Sequence, residues 1–183
     1  MLVGVLADTH IPQRLKVIPQ AVLGLFQGVD LILHAGDLVA PYILGELAQI
    51  APVKAVRGNV HLMDRTMDAA QLPSVERLDL LGHGIILIHG HGSFLQGSWE
   101  RVRFWLGRDR DAVNQRIARW CLESYPEAEA IIFGHSHRVY HRCIGGVLLF
   151  NPGAVCPTRG ERPSVGLLTV EREKVSAQVV ELT

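Results

Sequence analysis

The sequence has no excess of charge of either sign: 18 Lys and Arg balance 18 Asp and Glu across 183 residues. Without an overall positive field, generic binding to duplex nucleic acid or to an anionic membrane surface is disfavoured. Cysteine is scarce, with Cys121, Cys143 and Cys156 at no C-x-x-C spacing, which argues against a disulfide framework and against a thiolate metal site. No apolar run approaches the roughly 18 residues of a membrane span. The opening MLVGVLADTH has neither a basic stretch nor a long apolar stretch of a secretory leader, so the expected location is cytoplasmic. There is no G-x-x-x-x-G-K, G-x-G-x-x-G or G-x-S-x-G, which removes the usual signals of ATP cradling, dinucleotide binding and serine-hydrolase chemistry. Internal repeats, linkers and low-complexity stretches are also missing.

What is present is an ordinary globular composition, 48% hydrophobic and 20% charged, in a length that fits one domain spanning 1–183. Short apolar runs at 2–6, 31–34 and 53–56 read as buried strands, and 14–26 and 41–50 between them have helical spacing. Strand and helix in alternation imply a parallel sheet with right-handed crossovers. Residues 75–81 and 84–88 read as a hairpin around Gly82 and His83. Residues 99–124 hold all three tryptophans and two helix-like stretches broken near Gly107, the second with Val113, Ile117, Trp120 and Cys121 on one face. Strands are expected again at 129–133, 138–144, 146–150, 164–170 and 174–180, forming a β-meander. The fold class is therefore mixed α/β, with two sheets packed face to face and helices outside.

Histidine is abundant, with nine in the chain, and most of them fall beside Gly, Asp or another His at the ends of apolar runs. Asp8-Thr9-His10, Gly36-Asp37, Gly58-Asn59, His89-Gly90-His91 and Gly134-His135-Ser136-His137 each follow a strand-like run. Loops at the carboxyl ends of strands are where α/β sheets gather ligands. In extended backbone Asp8 and His10 point the same way, as do His135 and His137, so each pair can offer two donors to one site. Taken singly, each group also reads as a turn, a helix cap or a structural histidine. Nitrogen and oxygen donors without thiolate fit manganese, iron, zinc, nickel or cobalt.

The ordered set DTH, GD, GN, HGH and GHSH resembles the calcineurin-like metallophosphoesterase superfamily. Its short length, the LHAGD and IHGH contexts and NPGA at 151–154 are similar to the small single-domain phosphodiesterase branch. That branch includes the small retromer subunit, which uses the fold mainly as a scaffold. The resemblance implies a four-layer α-β-β-α sandwich with two packed mixed β-sheets. It implies two divalent ions, manganese first among the candidates, with Asp8, His10 and His137 on one, Asn59, His89 and His135 on the other, and Asp37 bridging. Such a pair activates water for in-line attack on a phosphorus centre, so the implied function is hydrolysis of a small phosphorylated substrate, with a phosphodiester favoured. A phosphomonoesterase, a nucleotide pyrophosphatase and a non-catalytic scaffold are the alternatives.

Two departures from the family pattern matter. Many members follow GN with His, whereas here Val60 follows Asn59. His61 stands where the branch commonly has an acidic residue; it can serve as general acid toward an alkoxide, or be a surface or helix-start residue. The catalytic candidates are thus Asp37, Asn59 and His61. The second departure is a helical insertion at about 94–128, carrying Arg101, Arg103, Arg108, Arg110, Arg116 and Arg119. That segment reads as a solvated face, as a contact for a homo-oligomer, or as a grip on a second phosphate. Trp99, Phe104 and Trp105 read as core or interface. His34 is expected to support the Gly36-Asp37 loop, His91 to line the site, His83 and His141 to be structural, and Arg159 to contact substrate by analogy.

Overall fold

The computed structural model describes residues 1–59, 71–92, 111–158 and 160–183. Two five-stranded mixed sheets are present. The first has the order β10-β9-β1-β2-β3, from β1 (Leu2–Leu6), β2 (Leu31–His34), β3 (Val53–Ala55), β9 (Ser164–Val170) and β10 (Val175–Glu181). The second has the order β4-β5-β6-β8-β7, from β4 (Val75–Leu80), β5 (His83–Ile88), β6 (Ala130–Ile132), β7 (Val139–Ile144) and β8 (Val147–Pro152). In the first, β1, β2 and β3 run parallel, β9 is antiparallel to β1, and β10 is antiparallel to β9. In the second, β5, β6 and β8 run parallel, flanked by antiparallel β4 and β7.

Alternation along each strand builds the layers, because successive side chains leave opposite faces of a sheet. Val3, Val5, Leu31 and Leu33 of the first sheet meet Ile85, Leu87, Ala130, Ile132, Leu148 and Phe150 of the second in one apolar core. The intervening residues Leu6, Ile32 and Val165 face outward onto Val22 and Phe26 near α1 (Gln20–Leu25) and onto Ile43 and Leu47 of α2 (Tyr42–Ala48). On the far side, Ile86, Ile88, Ile131 and Leu149 face Ile117, Ala118 and Cys121 of α3 (Ala112–Ser124). The layers are thus helix, sheet, sheet, helix, as the sequence implied. Strands buried on both faces explain why β1 and β2 read as continuous apolar runs. Gly4 is part of the same packing: a Cβ there would lie 2.9 Å from the Phe26 ring, so a larger residue would displace that phenylalanine.

Several expected elements change. The helix expected at 14–26 contracts to α1, which starts directly after Pro19, because the ring of a proline disfavours helical backbone in the residue before it. The tail is not a β-meander: β6 pairs with β8 in parallel, and the chain then leaves for the other sheet to form β9. The cause is the core itself, since β9 and β1 share a two-sided apolar pattern and pair centrally. Of the expected insertion, 111–128 is described and contains α3, with Ile117 and Cys121 buried and Val113 and Trp120 packed against that core. The earlier helical stretch, with Trp99, Phe104, Trp105, Arg101, Arg103, Arg108 and Arg110, lies outside the described residues, as do Val60, His61 and Arg159.

Candidate metal centre

The parallel strands of both sheets present their carboxyl ends at one edge. There β1 delivers Asp8 and His10, β2 delivers Asp37, β3 leads to Asn59, β5 to His89, and β6 to His135 and His137. These loops turn unusually sharply. Asp8, His10, Asp37, His135 and His137 have φ of 52°, 48°, 54°, 69° and 58°, and among the described residues Leu81 completes the positive-φ residues other than glycine. Left-handed backbone is disfavoured for side-chain-bearing residues and collects where surrounding structure over-determines it, most often at functional sites. Glycines admit the close approach. A Cβ on Gly58 would run into the side chain and backbone of Asp37, and one on Gly36 would sit 2.6 Å from His89 Nδ1.

Two groups of donors result, and they share Asp37. In the first, His10 Nε2 and His137 Nε2 are 3.1 Å apart, Asp37 Oδ2 is 3.6 Å from His10 Nε2, and Asp8 Oδ1 is 3.5 Å from His137 Nε2. One donor atom from each of Asp8, His10, Asp37 and His137 lies within 4.8 Å of the others, and all four residues are buried, a set that could hold a metal ion. In the second, Asn59 Oδ1 lies 3.0 Å from His89 Nε2 and 2.9 Å from His135 Nδ1, while Asp37 Oδ1 is 3.5 Å from His89 Nε2. The structure therefore brings together all seven side chains singled out as ligands in the sequence.

The hydrogen bonds around the rings fix which atoms face inward. His137 Nδ1–H donates to the Cys156 carbonyl (3.0 Å) and His89 Nδ1–H donates to the Ala35 carbonyl (2.7 Å), so each ring turns Nε2 toward the centre. Histidine ligands are commonly oriented through the other ring nitrogen in this way. His34 supports the same loops: Gly36 N–H donates to its Nδ1 (3.2 Å), which leaves Nε2–H for the Thr9 hydroxyl (3.2 Å). A backbone N–H, that of His135, donates to Asp8 Oδ2 at 3.0 Å, whereas the buried Asp8 Oδ1 has no hydrogen-bond partner. An unpartnered carboxylate oxygen aimed at inward-facing imidazole nitrogens is the donor chemistry of a cation site.

The electrostatics agree. Burial lowers His10 to about 4 and His137 to about 3, so both rings are neutral near pH 7, the state a ligand needs. Burial raises the Asp8 carboxyl, and the neighbouring Asp37 carboxylate raises it further. Burial opposes charge on His89, but the Asp37 and Asp8 carboxylates outweigh it and push that ring up to about 9. Asp8 and the His89 ring thus hold protons near neutral pH that a bound cation would displace.

His91 lines this edge, its ring 5.6 Å from that of His89 and 6.5 Å from that of His135, with a buried Nδ1 that has no hydrogen-bond partner. His83 and His141 lie away from the centre, the former bonded to Glu129 and the Glu171 carbonyl, the latter stacked edge-on against Phe150. Four participants carried no sequence signal. Arg14, on the turn whose N–H bonds the His10 carbonyl, places a guanidinium close enough to act on the charges of Asp8, His10 and His137. Asn114 of α3 reaches the GHSH loop from another element. The carbonyls of Ala35 and Cys156 belong to the backbone, which residue identity does not reveal.

The family model for the calcineurin-like phosphoesterase superfamily domain matches residues 1–173. The chain is 36% identical over 180 residues to a probable metallophosphoesterase of Methanothermobacter thermautotrophicus, covering 98% of this chain and 92% of that one. It is 23% identical to the phosphodiesterase MJ0936 of Methanocaldococcus jannaschii, covering 99% of this chain and 100% of the relative. Among solved structures, wild-type Vps29 of Entamoeba histolytica complexed with zinc has the same fold, with a TM-score of 0.70, 23% identity and 99% coverage of both chains.

Proposed function

The chain belongs to the calcineurin-like phosphoesterase superfamily, and from that premise we propose that it is a two-metal phosphoric ester hydrolase whose preferred substrate is a small phosphodiester. The observation that carries this reading is the placement of Asp37, which turns one carboxylate oxygen toward His10 and the other toward His89. Asp8, His10 and His137 would hold one divalent ion, Asn59, His89 and His135 the other, and Asp37 would serve both. Manganese is the ion proposed, and iron, zinc, nickel and cobalt suit the same nitrogen and oxygen donors. Such a pair, when bound, polarises a phosphoryl oxygen and acidifies a water for in-line attack.

The protein's own groups complete the chemistry. Asp8 and Asp37 offset part of the cationic charge, leaving the centre attractive to a phosphate anion. The carbonyls of Ala35 and Cys156 hold two rings in the tautomer that presents Nε2. Arg14, at the rim, suits a non-bridging phosphate oxygen, since a guanidinium beside a cation-binding centre gains from an anion held between them. His61 remains the candidate for protonating the leaving alkoxide. The balanced net charge favours a small substrate over a nucleic acid.

The diester preference is supported by the phosphodiesterase relative, which covers this chain nearly end to end. A scaffold is the second reading, favoured by the likeness to Vps29; against it stands the convergence of seven donors, which partner binding alone does not require. The test is hydrolysis of bis-p-nitrophenyl phosphate and p-nitrophenyl phosphate by chelator-stripped protein with and without added manganese. Manganese-dependent turnover, faster on the diester, is expected. Failure to turn over either ester in a metal-dependent way would leave the scaffold.

A further inference from the structure

Around Ser136 of the GHSH loop lies a buried polar cluster, none of whose members is among the proposed ligands. Asn114, Ser136 and Asn151 are 0%, 8% and 0% exposed, yet they sit beside the apolar layer under α3. The Ser136 hydroxyl donates to Asn114 Oδ1 at 2.7 Å and accepts from Asn151 Nδ2 at 3.1 Å and from Arg138 N–H at 3.2 Å. Asn151 Nδ2 also reaches the Gly134 carbonyl at 2.8 Å, and its Oδ1 accepts from Gly153 N–H at 2.9 Å. Asn114 Nδ2 donates to the Arg138 carbonyl at 3.3 Å. The five-residue loop 134–138 is therefore bonded at its first residue, its middle and its last.

Ser136 stands between His135 and His137, both in the left-handed region with φ of 69° and 58°. Two departures of this kind on either side of one residue persist only where surrounding bonds hold them, and here the bonds converge on the residue between them. Without them, the backbone would relax toward ordinary φ, and both imidazoles would swing from the centre. Asn151 lies in β8, beside β6 in the sheet from which the loop leaves. Asn114 comes from α3, a separate layer, and its neighbours Ile117, Ala118 and Cys121 are apolar. Packing alone would be served by an apolar residue there, because burying an amide is costly unless its bonds are made.

We propose that Asn114 is a positioning residue for the metal centre: through Ser136 it holds His135 and His137 in their left-handed conformations, coupling the first turn of α3 to both cations. The inference rests on the two-metal reading and is tested by metal binding rather than turnover. Cobalt(II) is titrated into metal-free wild type, Asn114→Leu, Ser136→Ala, Ser136→Thr and the double variant, recording affinity and the visible ligand-field spectrum. Asn114→Leu and Ser136→Ala are each expected to weaken binding by about 10–100-fold, the range seen when a partner of a ligand is removed, and to alter the spectrum. The double variant should lose less than the sum of the two single losses, because the Ser136–Asn114 bond is counted in both. Ser136→Thr, which keeps the hydroxyl, should recover most of the affinity.

Ser136→Ala removes a single oxygen atom and keeps the proposal open to refutation should Asn114→Leu fail to fold. Wild-type affinity and spectrum in Asn114→Leu or Ser136→Ala overturn the proposal, as do fully additive losses in the double variant. Wild-type protein that binds no cobalt overturns the two-metal reading, and this inference with it; variants that match a cobalt-binding wild type overturn this inference alone.

Discussion

Asp37 is the residue on which the two donor groups depend, since each looks to a different oxygen of one carboxylate. Asp37→Ala should abolish measurable manganese uptake in calorimetry and lower turnover by more than the roughly 100-fold upper range for removing a ligand's partner. Retained binding of two ions would refute a shared role. A second expectation follows from the proton balance. Asp8 and His89 are both shifted upward, His89 to about 9, so in the metal-free protein they hold protons at neutral pH. A cation must displace them, so affinity should rise from about pH 6 and level off above about pH 9, with proton release on binding. Calorimetry in buffers of different ionisation enthalpy measures that release, and buffer-independent heats would count against it. His10 and His137, shifted down to about 4 and 3, contribute no proton in this range.

At the scale of elements, the strand-then-turn pattern places every ligand candidate. His83 at the start of β5 shows that other histidines work by fixing elements. Its Nδ1 is 2.7 Å from Glu129 Oε2 and its Nε2 2.8 Å from the Glu171 carbonyl, tying the second sheet to the turn between β9 and β10. The Glu129 carboxylate, by direct hydrogen bond, raises the His83 pKa above its usual value, and the bond to the Glu171 carbonyl adds to it. A raised value means the stabilisation is fully present below about pH 6.5 and fades as pH climbs through the folded-state value. His83→Ala should therefore lower the melting temperature more at pH 5.5 than at pH 9.5, as followed by calorimetry; an equal loss at both would contradict the charged clamp. The strands and the five donor loops were legible in the sequence, because apolar runs bounded by Gly, Asp and His carry both signals. The early helix is shorter than the apolar spacing across 14–26 implies, because Pro19 disfavours helical backbone in the residue before it. The Asn151-Pro152-Gly153 segment reads in the sequence as lying close to the GHSH loop, and Asn151 does bond it; Asn114 was not legible as a partner, because it meets the loop only once α3 has packed onto the second sheet.

For the molecule as a whole, the layer between the sheets brings two strand edges into register, and the centre sits across that seam. Asp8, His10, Asp37 and Asn59 follow strands of one sheet, while His89, His135 and His137 follow strands of the other. Loosening the inter-sheet core should loosen the centre as well. Leu87→Ala, at a fully buried position in that core, should cost roughly 2–5 kcal/mol in denaturant unfolding, and the loss should grow when manganese is present because weaker ion binding forfeits part of the ligand stabilisation. An equal loss with and without manganese would separate the core from the site. The order of strands across the two sheets was beyond the sequence pattern, because alternation tells which face is buried but not which neighbour a strand takes, as the pairing of β9 with β1 illustrates.

The most direct measurement is an anomalous difference map from crystals soaked in manganese, with data collected at the manganese absorption edge. Two peaks about 3.5–4 Å apart, one on each side of the Asp37 carboxylate, are the expected result. An empty map at that edge of the sheets, or a single peak that leaves Asn59, His89 and His135 without an ion, would contradict a two-metal centre.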